Sequence, residues 1–179
     1  MYFKVGVCFL VSIMFVPVLQ QQDVFHPGSV IPAFGKVAAV DSDMELNADT
    51  KLKLCFDVAE KSGGSINRSF DSAARFINLN VECGADAKNV SVAIVVHGSA
   101  AVDVTNADFY GKANGGKANP NASVIAELQK NGTTIYLCGQ TAAYRGIPKK
   151  DLIPGVKMAP SAMTAHALLQ QDGFALCPF

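Results

Sequence analysis

Tryptophan is absent from this chain, and so is any run of like charges. Only 17% of the residues are charged, and lysine plus arginine equal aspartate plus glutamate at 15 each. Nucleic-acid binding depends on an excess of basic side chains, usually with aromatic residues placed to stack on bases. Because the few aromatic residues here are not interleaved with basic ones, the composition predicts no nucleic-acid partner.

Motifs for a bound cofactor are also missing. The nearest approach to a phosphate-binding loop is Gly115-Gly116-Lys117, but Ala118 follows where the motif requires serine or threonine. The carboxylates are dispersed along the sequence and indicate no acid–base pair. One cysteine and one histidine are the best candidate metal ligands, which falls short of a metal site. We therefore expect no cofactor and no metal.

The first 22 residues differ from the rest. Lys4 precedes an uncharged apolar run at residues 5–19. As a helix this run would span about 22 Å, short of a bilayer core of ~30 Å, so it is typical of a secretory signal. Residues 20–26 offer no small-x-small cleavage pattern, so residues 1–22 are either a signal peptide or an uncleaved N-terminal anchor. We expect an exported, periplasmic protein with no other membrane contact.

Four cysteines remain after the signal segment: Cys55, Cys83, Cys138 and Cys177. An even number in an exported protein permits disulfides, but four cysteines allow three pairings. Cys55 and Cys177 lie inside predicted strands, where a buried free thiol is the simpler interpretation. Cys83 precedes Gly84 at a predicted helix end and is available to pair with a neighbour.

Predicted strands and helices alternate along most of the chain. Apolar or β-branched runs predict strands at 52–58, 90–97, 133–138, 156–159 and 174–177. Apolar residues at intervals of three and four predict a helix between Asn67, as N-cap, and Gly84. Asn119-Pro120 predicts the start of a second helix. Pro160-Ser161 predicts the start of another through residue 171, with four inward-facing residues, Ala162, Ala165, Leu168 and Leu169.

This alternation predicts an α/β fold, a three-layer α/β/α domain with a mostly parallel sheet of about five strands. The continuously apolar run at 90–97 is typical of a strand covered on both faces. We assign residues 48–179 to a single domain and residues 23–47, rich in proline and glycine, to an extended N-terminal arm. Residues 100–119 are predicted to be irregular, and a loop of that length is usually functional or mobile.

The candidate site centres on Cys138, between a predicted strand and a predicted short helix. Ligands in open α/β sheets bind at such junctions, and helix N–H groups favour a thiolate. His97 ends the preceding strand and is a candidate base or counter-ion. Gly98, Gly139 and Gln140 are candidate ligand contacts, the last two as N–H donors. A buried cysteine and a structural histidine are the alternatives for Cys138 and His97, and packing is the favoured interpretation of His166.

Several segments together resemble the DsrE/DsrF-like family, in particular its exported, signal-bearing branch. They are V-A-I-V-V-H-G-S-A at 92–100, N-P-N at 119–121, I-Y-L-C-G-Q at 135–140 and S-A-M-T-A-H-A-L-L-Q-Q-D-G-F-A-L at 161–176. The resemblance extends from about residue 31 to residue 179. It implies a five-stranded parallel α/β/α fold and assembly into homotrimers or homohexamers.

The resemblance also implies a role for one residue. Cytoplasmic sulfur-relay members of the family carry a persulfide on a cysteine at the end of this strand, before a short helix containing Arg-Gly. The matching residues here are Cys138 and Arg145-Gly146. An exported thiol, however, meets oxidants and disulfide catalysts rather than a reducing cytosol.

Three hypotheses follow, and the sequence does not decide whether the protein is an enzyme. The first is sulfur handling, with Cys138 as persulfide carrier or sulfurtransferase and a sulfur-donor or redox protein as partner. The second is a non-enzymatic oligomeric protein that binds a small ligand or metal near His97 and Cys138. The third is an accessory subunit of an exported redox complex, docking through residues 100–119.

Overall fold

The structure, a computed structural model, describes residues 24–177. The predicted signal segment, residues 1–22, lies outside them. The strands are β1 Leu52–Val58, β2 Val90–Val96, β3 Thr134–Cys138, β4 Lys157–Ala159 and β5 Ala175–Cys177. The α-helices are α1 Arg68–Glu82, α2 Ala107–Ala113, α3 Ala122–Lys130, α4 Gly139–Arg145 and α5 Ala162–Gln171. Short 3₁₀ helices lie at Ala87–Asn89, Gly98–Val104 and Lys149–Asp151.

All five strands are parallel, in the order β4-β3-β2-β1-β5. The predicted parallel α/β sheet of about five strands is therefore confirmed. β2 lies at the centre of the sheet, and its buried residues agree with its continuously apolar sequence. Within the described range, residues 24–177, no helix is long and apolar enough to cross a membrane.

Helices cover both faces of the sheet, as predicted for three layers. Alternate strand residues pack against α1, α3 and α4 in the larger core, among them Phe56, Ile94, Val96, Ile135 and Leu137. The residues between them face a smaller cluster under α5, formed by Cys55, Ala93, Val95, Ala159 and Ala165. Because successive side chains of a strand point to opposite faces of the sheet, each one packs against one of the two helical layers.

Capping explains the ends of α1 as predicted. The Asn67 side chain accepts a hydrogen bond from the Ser69 N–H, and it therefore caps the helix N-terminus. At the other end, Gly84 has a φ of 111° and its N–H donates to the Val81 carbonyl. A residue with a side chain would be strained in that conformation, which is why a glycine ends the helix.

The prediction that residues 100–119 are irregular is wrong. The segment contains most of the 3₁₀ helix Gly98–Val104 and all of α2. Ala100, Ala101 and Val104 are fully buried, and the Asn106 side chain caps α2 by accepting from the Phe109 N–H. The glycine and asparagine content obscured these helices because those residues act here as caps and turns.

The predicted start of α3 at Asn119-Pro120 is also wrong, since the helix begins at Ala122 with Asn121 as N-cap. Asn119 has another role. Its side-chain NH₂ group donates to the backbone carbonyls of Asp103 and Thr105. Its side-chain oxygen, Oδ1, accepts from the Asn121 N–H. The side chain therefore closes the preceding loop instead of capping the helix.

One inward-facing residue of α5 was predicted incorrectly. Leu168 is 60% exposed, whereas Ala165 is buried and Leu169 packs against the smaller cluster. The face of α5 turned to the sheet has the spacing i, i+3, i+4, i+7, which runs from Ala162 through Ala165 and His166 to Leu169. His166 therefore occupies the position expected for an apolar side chain.

Residues 24–47 form no helix or strand and pack on α1. An isolated bridge pairs His26 with Val37, and Ile31 is fully buried. The attachment depends on Asn78 of α1, which is itself fully buried. Its side chain bonds the backbone N–H groups of Val30 and Ile31 and three carbonyl oxygens, those of Ile31, Phe34 and Gly35.

We predict that Asn78→Ala lowers the free energy of unfolding by at least about 3 kcal/mol, because the substitution leaves several buried backbone groups without partners. Urea denaturation followed by circular dichroism measures the change. Asn80→Ala is the matched control, since Asn80 makes one bond, to the Phe76 carbonyl, and should cost about 1 kcal/mol or less. Equal losses in the two variants would contradict this role of Asn78.

Candidate functional site

Strand register brings three polar side chains to one end of the sheet. Asp57 lies next to the end of β1, His97 follows β2, and Cys138 ends β3. The pairing of Val58 with Val96 and of Val96 with Leu137 aligns these strand ends. Because side chains alternate along a strand, all three residues belong to the sequence positions that face α5. Carboxyl ends of parallel strands are the usual place for ligands in this class of fold.

A cavity of about 410 Å³ lies at this end of the sheet, beneath the first turns of α5. It is lined by Asp57, His97, Cys138, Gln140, Thr141, Ser161, Ala162, Met163, His166 and Leu176. The lining combines a thiol, two imidazoles and a carboxylate with an apolar rim. Such a convergence of polar groups in a mostly apolar cleft is typical of a functional site.

A larger groove of about 620 Å³ runs between α1 and the strands β1 and β5. Its walls are mainly apolar, with Phe56, Phe76 and Leu79 among them, and its one thiol, Cys177, is buried. We place the candidate site in the smaller cavity because only that one brings a thiol together with imidazoles and a carboxylate.

Cys138 is surrounded by hydrogen-bond donors from two helices. Burial alone would raise the pKa of its thiol. The backbone N–H and the hydroxyl of Thr141, followed by the N–H groups of Ala162 and Gln140, outweigh that effect and hold the pKa of Cys138 below its ordinary value. Donors that point at sulfur favour the charged thiolate over the neutral thiol. Cys138 is therefore poised as a nucleophile, although it is only 5% exposed.

Gly139 permits this convergence of donors. A Cβ atom at this position would lie 2.6 Å from the Ala159 carbonyl oxygen and 3.2 Å from that of Pro160. These carbonyls belong to the segment that leads from β4 into α5. With glycine at 139 that segment can pass close to the β3–α4 junction, and the N–H of Ala162 reaches the thiol.

A carboxylate lies between two imidazoles on the other side of the cavity. Asp57 Oδ1 is 2.7 Å from His166 Nε2 and 3.0 Å from His97 Nε2, and Oδ2 is 3.2 Å from His97 Nε2. Burial would raise the pKa of Asp57, but hydrogen bonds from His166 and His97 lower it below its ordinary value. The carboxylate is therefore ionised at neutral pH and accepts hydrogen bonds from both rings.

Cys55 is a second thiol on the same sheet face, with the opposite chemistry. Its Sγ lies 3.6 Å from His166 Nδ1. Burial, the charge of Asp57 and the neighbouring Cys177 raise the pKa of Cys55 to about 12. Cys55 therefore stays protonated and unreactive at neutral pH. Within residues 24–177 none of the four cysteines forms a disulfide; Cys55 and Cys177 are buried as predicted, and Cys83 is exposed.

Of the other predicted site residues, one lines the cavity and two do not. Gln140 lines the cavity, and its side chain donates to the Pro160 carbonyl at 3.3 Å. Gly98 and Gly139 do not line the cavity. The Gly98 N–H instead donates to the Thr141 hydroxyl at 3.4 Å. Gly139 leaves room for the Ala159 carbonyl, which a Cβ would approach to 2.6 Å. These two glycines shape the site without facing a ligand.

Two cavity residues are not predictable from the sequence alone. The dispersed carboxylates do not single out Asp57, and the apolar neighbours of His166 favour packing. Both residues line the cavity, and His166 lies on the face of α5 that is turned to the sheet, with 16% of its side chain exposed. A signal for Asp57 was present, because a charged residue near the carboxyl end of a buried strand is unusual. That His166 of α5 is the partner of Asp57 is seen only in the tertiary structure.

Metal binding was the second possibility at this site. Within residues 24–177, no group of three or more histidine, cysteine, aspartate or glutamate side chains is arranged to hold a metal ion. The imidazole Nε2 atoms are instead engaged with Asp57.

Comparisons with known proteins agree with this fold. A family model described as "DsrE/DsrF-like family" matches residues 53–179. Two solved structures superpose with a TM-score of 0.53 at 19% identity over 72% of this chain: the protein of unknown function MTH1491 from Methanobacterium thermoautotrophicum, covered over its full length, and the ychN protein from E. coli, covered over 99%. At this identity the two structures show the fold alone. No curated protein is a significant match.

We predict that Thr141→Val raises the pKa of Cys138, because the substitution removes the hydroxyl that donates to the thiolate. Alkylation by iodoacetamide at a series of pH values, quantified at Cys138 by peptide mass spectrometry, reports this pKa. The control is Thr134→Val, an isosteric change on β3, the strand that ends at Cys138. It should leave the pH dependence of alkylation unchanged. An unchanged profile in Thr141→Val would contradict the assigned role of the hydroxyl.

Proposed function

This chain belongs to the DsrE/DsrF-like family, and on that premise we propose that it handles sulfur by accepting and holding a persulfide at Cys138. The observation that carries the proposal is the environment of this thiol. Donors from α4 and α5 lower its pKa at the wall of a cavity that also contains His97. A persulfide carrier needs a nucleophilic thiolate and donors that stabilise the product anion, and these residues supply both.

Sulfur acceptance at this site is a thiolate displacement. The Cys138 thiolate attacks the terminal sulfur of a donor persulfide, R–S–SH, and a new S–S bond forms as the donor's S–S bond breaks. The donor leaves as a thiolate, which takes up one proton, and no electrons are exchanged with a third reactant. In the product persulfide the transferred sulfur is the outer atom, one bond beyond Sγ on the cavity side.

Burial of Cys138 restricts the donors that fit. The thiol is 5% exposed, so a donor sulfur must enter through the cavity rather than meet Cys138 at an open surface. A volume of about 410 Å³ is sufficient for a polysulfide, a small persulfide or an extended cysteine side chain from a partner protein. We propose these small or extended donors as the substrate class.

The remaining predictions concern where the protein acts and how it assembles. Residues 1–22 lie outside the described range, so export to the periplasm and the uncleaved anchor stay predictions from the sequence. Homo-oligomers and a sulfur-donor or redox protein partner likewise stay predictions from the family resemblance. An exported carrier would have to protect its persulfide from oxidants, which the burial of Cys138 favours.

Incubation with sodium polysulfide should add one or more sulfur atoms to the purified protein, and peptide mapping should locate them at Cys138. The lowered pKa makes this thiol more nucleophilic than the protonated Cys55. Intact mass spectrometry detects the additions. Cys138→Ala should abolish them, and Cys55→Ala, a substitution of the other buried thiol on this face, should not. Sulfur addition that persists in Cys138→Ala would overturn the proposal.

A further inference from the structure

The hydrogen bonds around Asp57 determine which ring nitrogens carry protons. An ionised carboxylate can only accept, so the Nε2 atoms of His97 and His166, at 3.0 and 2.7 Å from Oδ1, must both donate to it. Each ring, when neutral, is therefore the tautomer with hydrogen on Nε2. The lone pair of each imidazole then lies on Nδ1.

The Nδ1 atom of His166 already has a partner. It lies 3.6 Å from Sγ of Cys55, whose thiol stays protonated at neutral pH. The S–H can donate to this nitrogen or to the Phe56 carbonyl oxygen, 3.8 Å from Sγ. Both nitrogens of His166 are engaged, and 16% of the side chain is exposed. His166 is therefore held at both nitrogens, and it bonds the same oxygen of Asp57 as His97 does.

His97 differs from His166 at its second nitrogen. No hydrogen-bond partner of His97 Nδ1 is found among residues 24–177, and 31% of the side chain is exposed. The ring lines the same cavity as Cys138. Of the two imidazoles at this site, His97 alone thus has a nitrogen available to a bound molecule.

We infer that Asp57 and His166 are positioning residues that fix His97 as the proton-transfer group for sulfur transfer to Cys138. His166, which is in contact with Cys55, bonds the carboxylate. The carboxylate bonds Nε2 of His97, so Nδ1 is the basic nitrogen of that ring when it is neutral. The inference rests on the proposed function, because it assigns a proton donor to the thiolate that leaves in that reaction.

The proton follows a balanced path. The Cys138 thiolate attacks R–S–SH, the donor's S–S bond breaks, and RS⁻ takes the Nδ1 proton of the His97 imidazolium and leaves as RSH. The new Cys138 persulfide then returns its own proton to Nδ1, which restores the imidazolium beside a persulfide anion. Asp57 stays ionised throughout and stabilises the positive ring.

The titratable groups that face His97 are few. Asp57 approaches from β1, Cys138 from β3 and His166 from α5, and Cys55 lies behind His166. The other lining residues do not titrate near neutral pH. Single substitutions of His97, His166 and Cys138 therefore separate the contributions of these three groups to the transfer rate.

The first test reads tautomers and does not depend on activity. The protein has three histidines, His26, His97 and His166, so ¹⁵N-histidine labelling gives three ring-nitrogen patterns that single His→Gln variants assign. We expect His97 and His166 to show hydrogen on Nε2 when neutral, and Asp57→Asn to change both patterns while His26 stays unchanged. A neutral His97 ring with its hydrogen on Nδ1, or a His97 pattern unaffected by Asp57→Asn, would overturn the inference.

The second test measures the rate at which glutathione persulfide loads Cys138 as a function of pH. His97→Gln should slow loading by about 100-fold, the lower end of the general acid–base range. Asp57→Asn should slow loading as well, because the His97 ring then lacks the carboxylate that orients it. Asp108→Asn on α2, an exposed carboxylate, is the matched control and should retain the wild-type profile.

The outcomes separate this inference from the proposed function. If wild-type Cys138 takes up no sulfur, the proposed function fails, and the tautomer experiment still decides how Asp57 positions the rings. If Cys138 loads normally and Asp57→Asn changes neither the loading rate nor the His97 ring pattern, the positioning role is wrong and the persulfide proposal stands. His97→Gln with the wild-type rate at every pH would remove His97 from the reaction.

Discussion

The close approach between Gly139 and the Ala159 carbonyl is the constraint on which the site depends. A Cβ at residue 139 would lie 2.6 Å from that oxygen, so only glycine lets the segment before α5 pass over the end of β3. This packing brings the N-terminus of α5 to the N-terminus of α4, and donors from both helices point at one sulfur. The same placement of α5 carries His166 to Asp57. One backbone contact thus organises both halves of the cavity.

Two thiols on one sheet face show how strongly this environment acts. Donor groups at the ends of two helices hold the pKa of Cys138 below its ordinary value despite burial. Cys55 lies deeper, near the negative charge of Asp57, and its pKa rises to about 12. The two cysteines differ in burial, in neighbouring charge and in strand position, because Cys138 ends β3 whereas Cys55 lies inside β1. This difference supports the proposal that sulfur chemistry takes place at Cys138.

Much of the fold was predictable because local signals agreed with the tertiary structure. Strand runs, the caps of α1 and the alternation of elements gave a parallel five-stranded sheet with two helical layers. Two of the errors arose where an asparagine or histidine side chain forms hydrogen bonds with backbone or carboxylate groups distant in the sequence. Asn119 bridges a loop instead of starting a helix, and His166 occupies an apolar position because Asp57 lies opposite. Such partners are far apart in sequence, so periodicity does not reveal them. Cys138 and His97 are predictable as neighbours because each ends a predicted strand, and the structure places both at one cavity.

The central claim is that Cys138 is the residue that carries sulfur. Its most direct test is the chemical state of the cysteines in protein isolated from its natural source under conditions that preserve persulfides. Persulfide-selective tagging followed by peptide mapping should find sulfane sulfur at Cys138 and none at Cys55, Cys83 or Cys177. A Cys138 that is found only as a free thiol or in a disulfide, or a tag spread evenly over the four cysteines, would contradict the account.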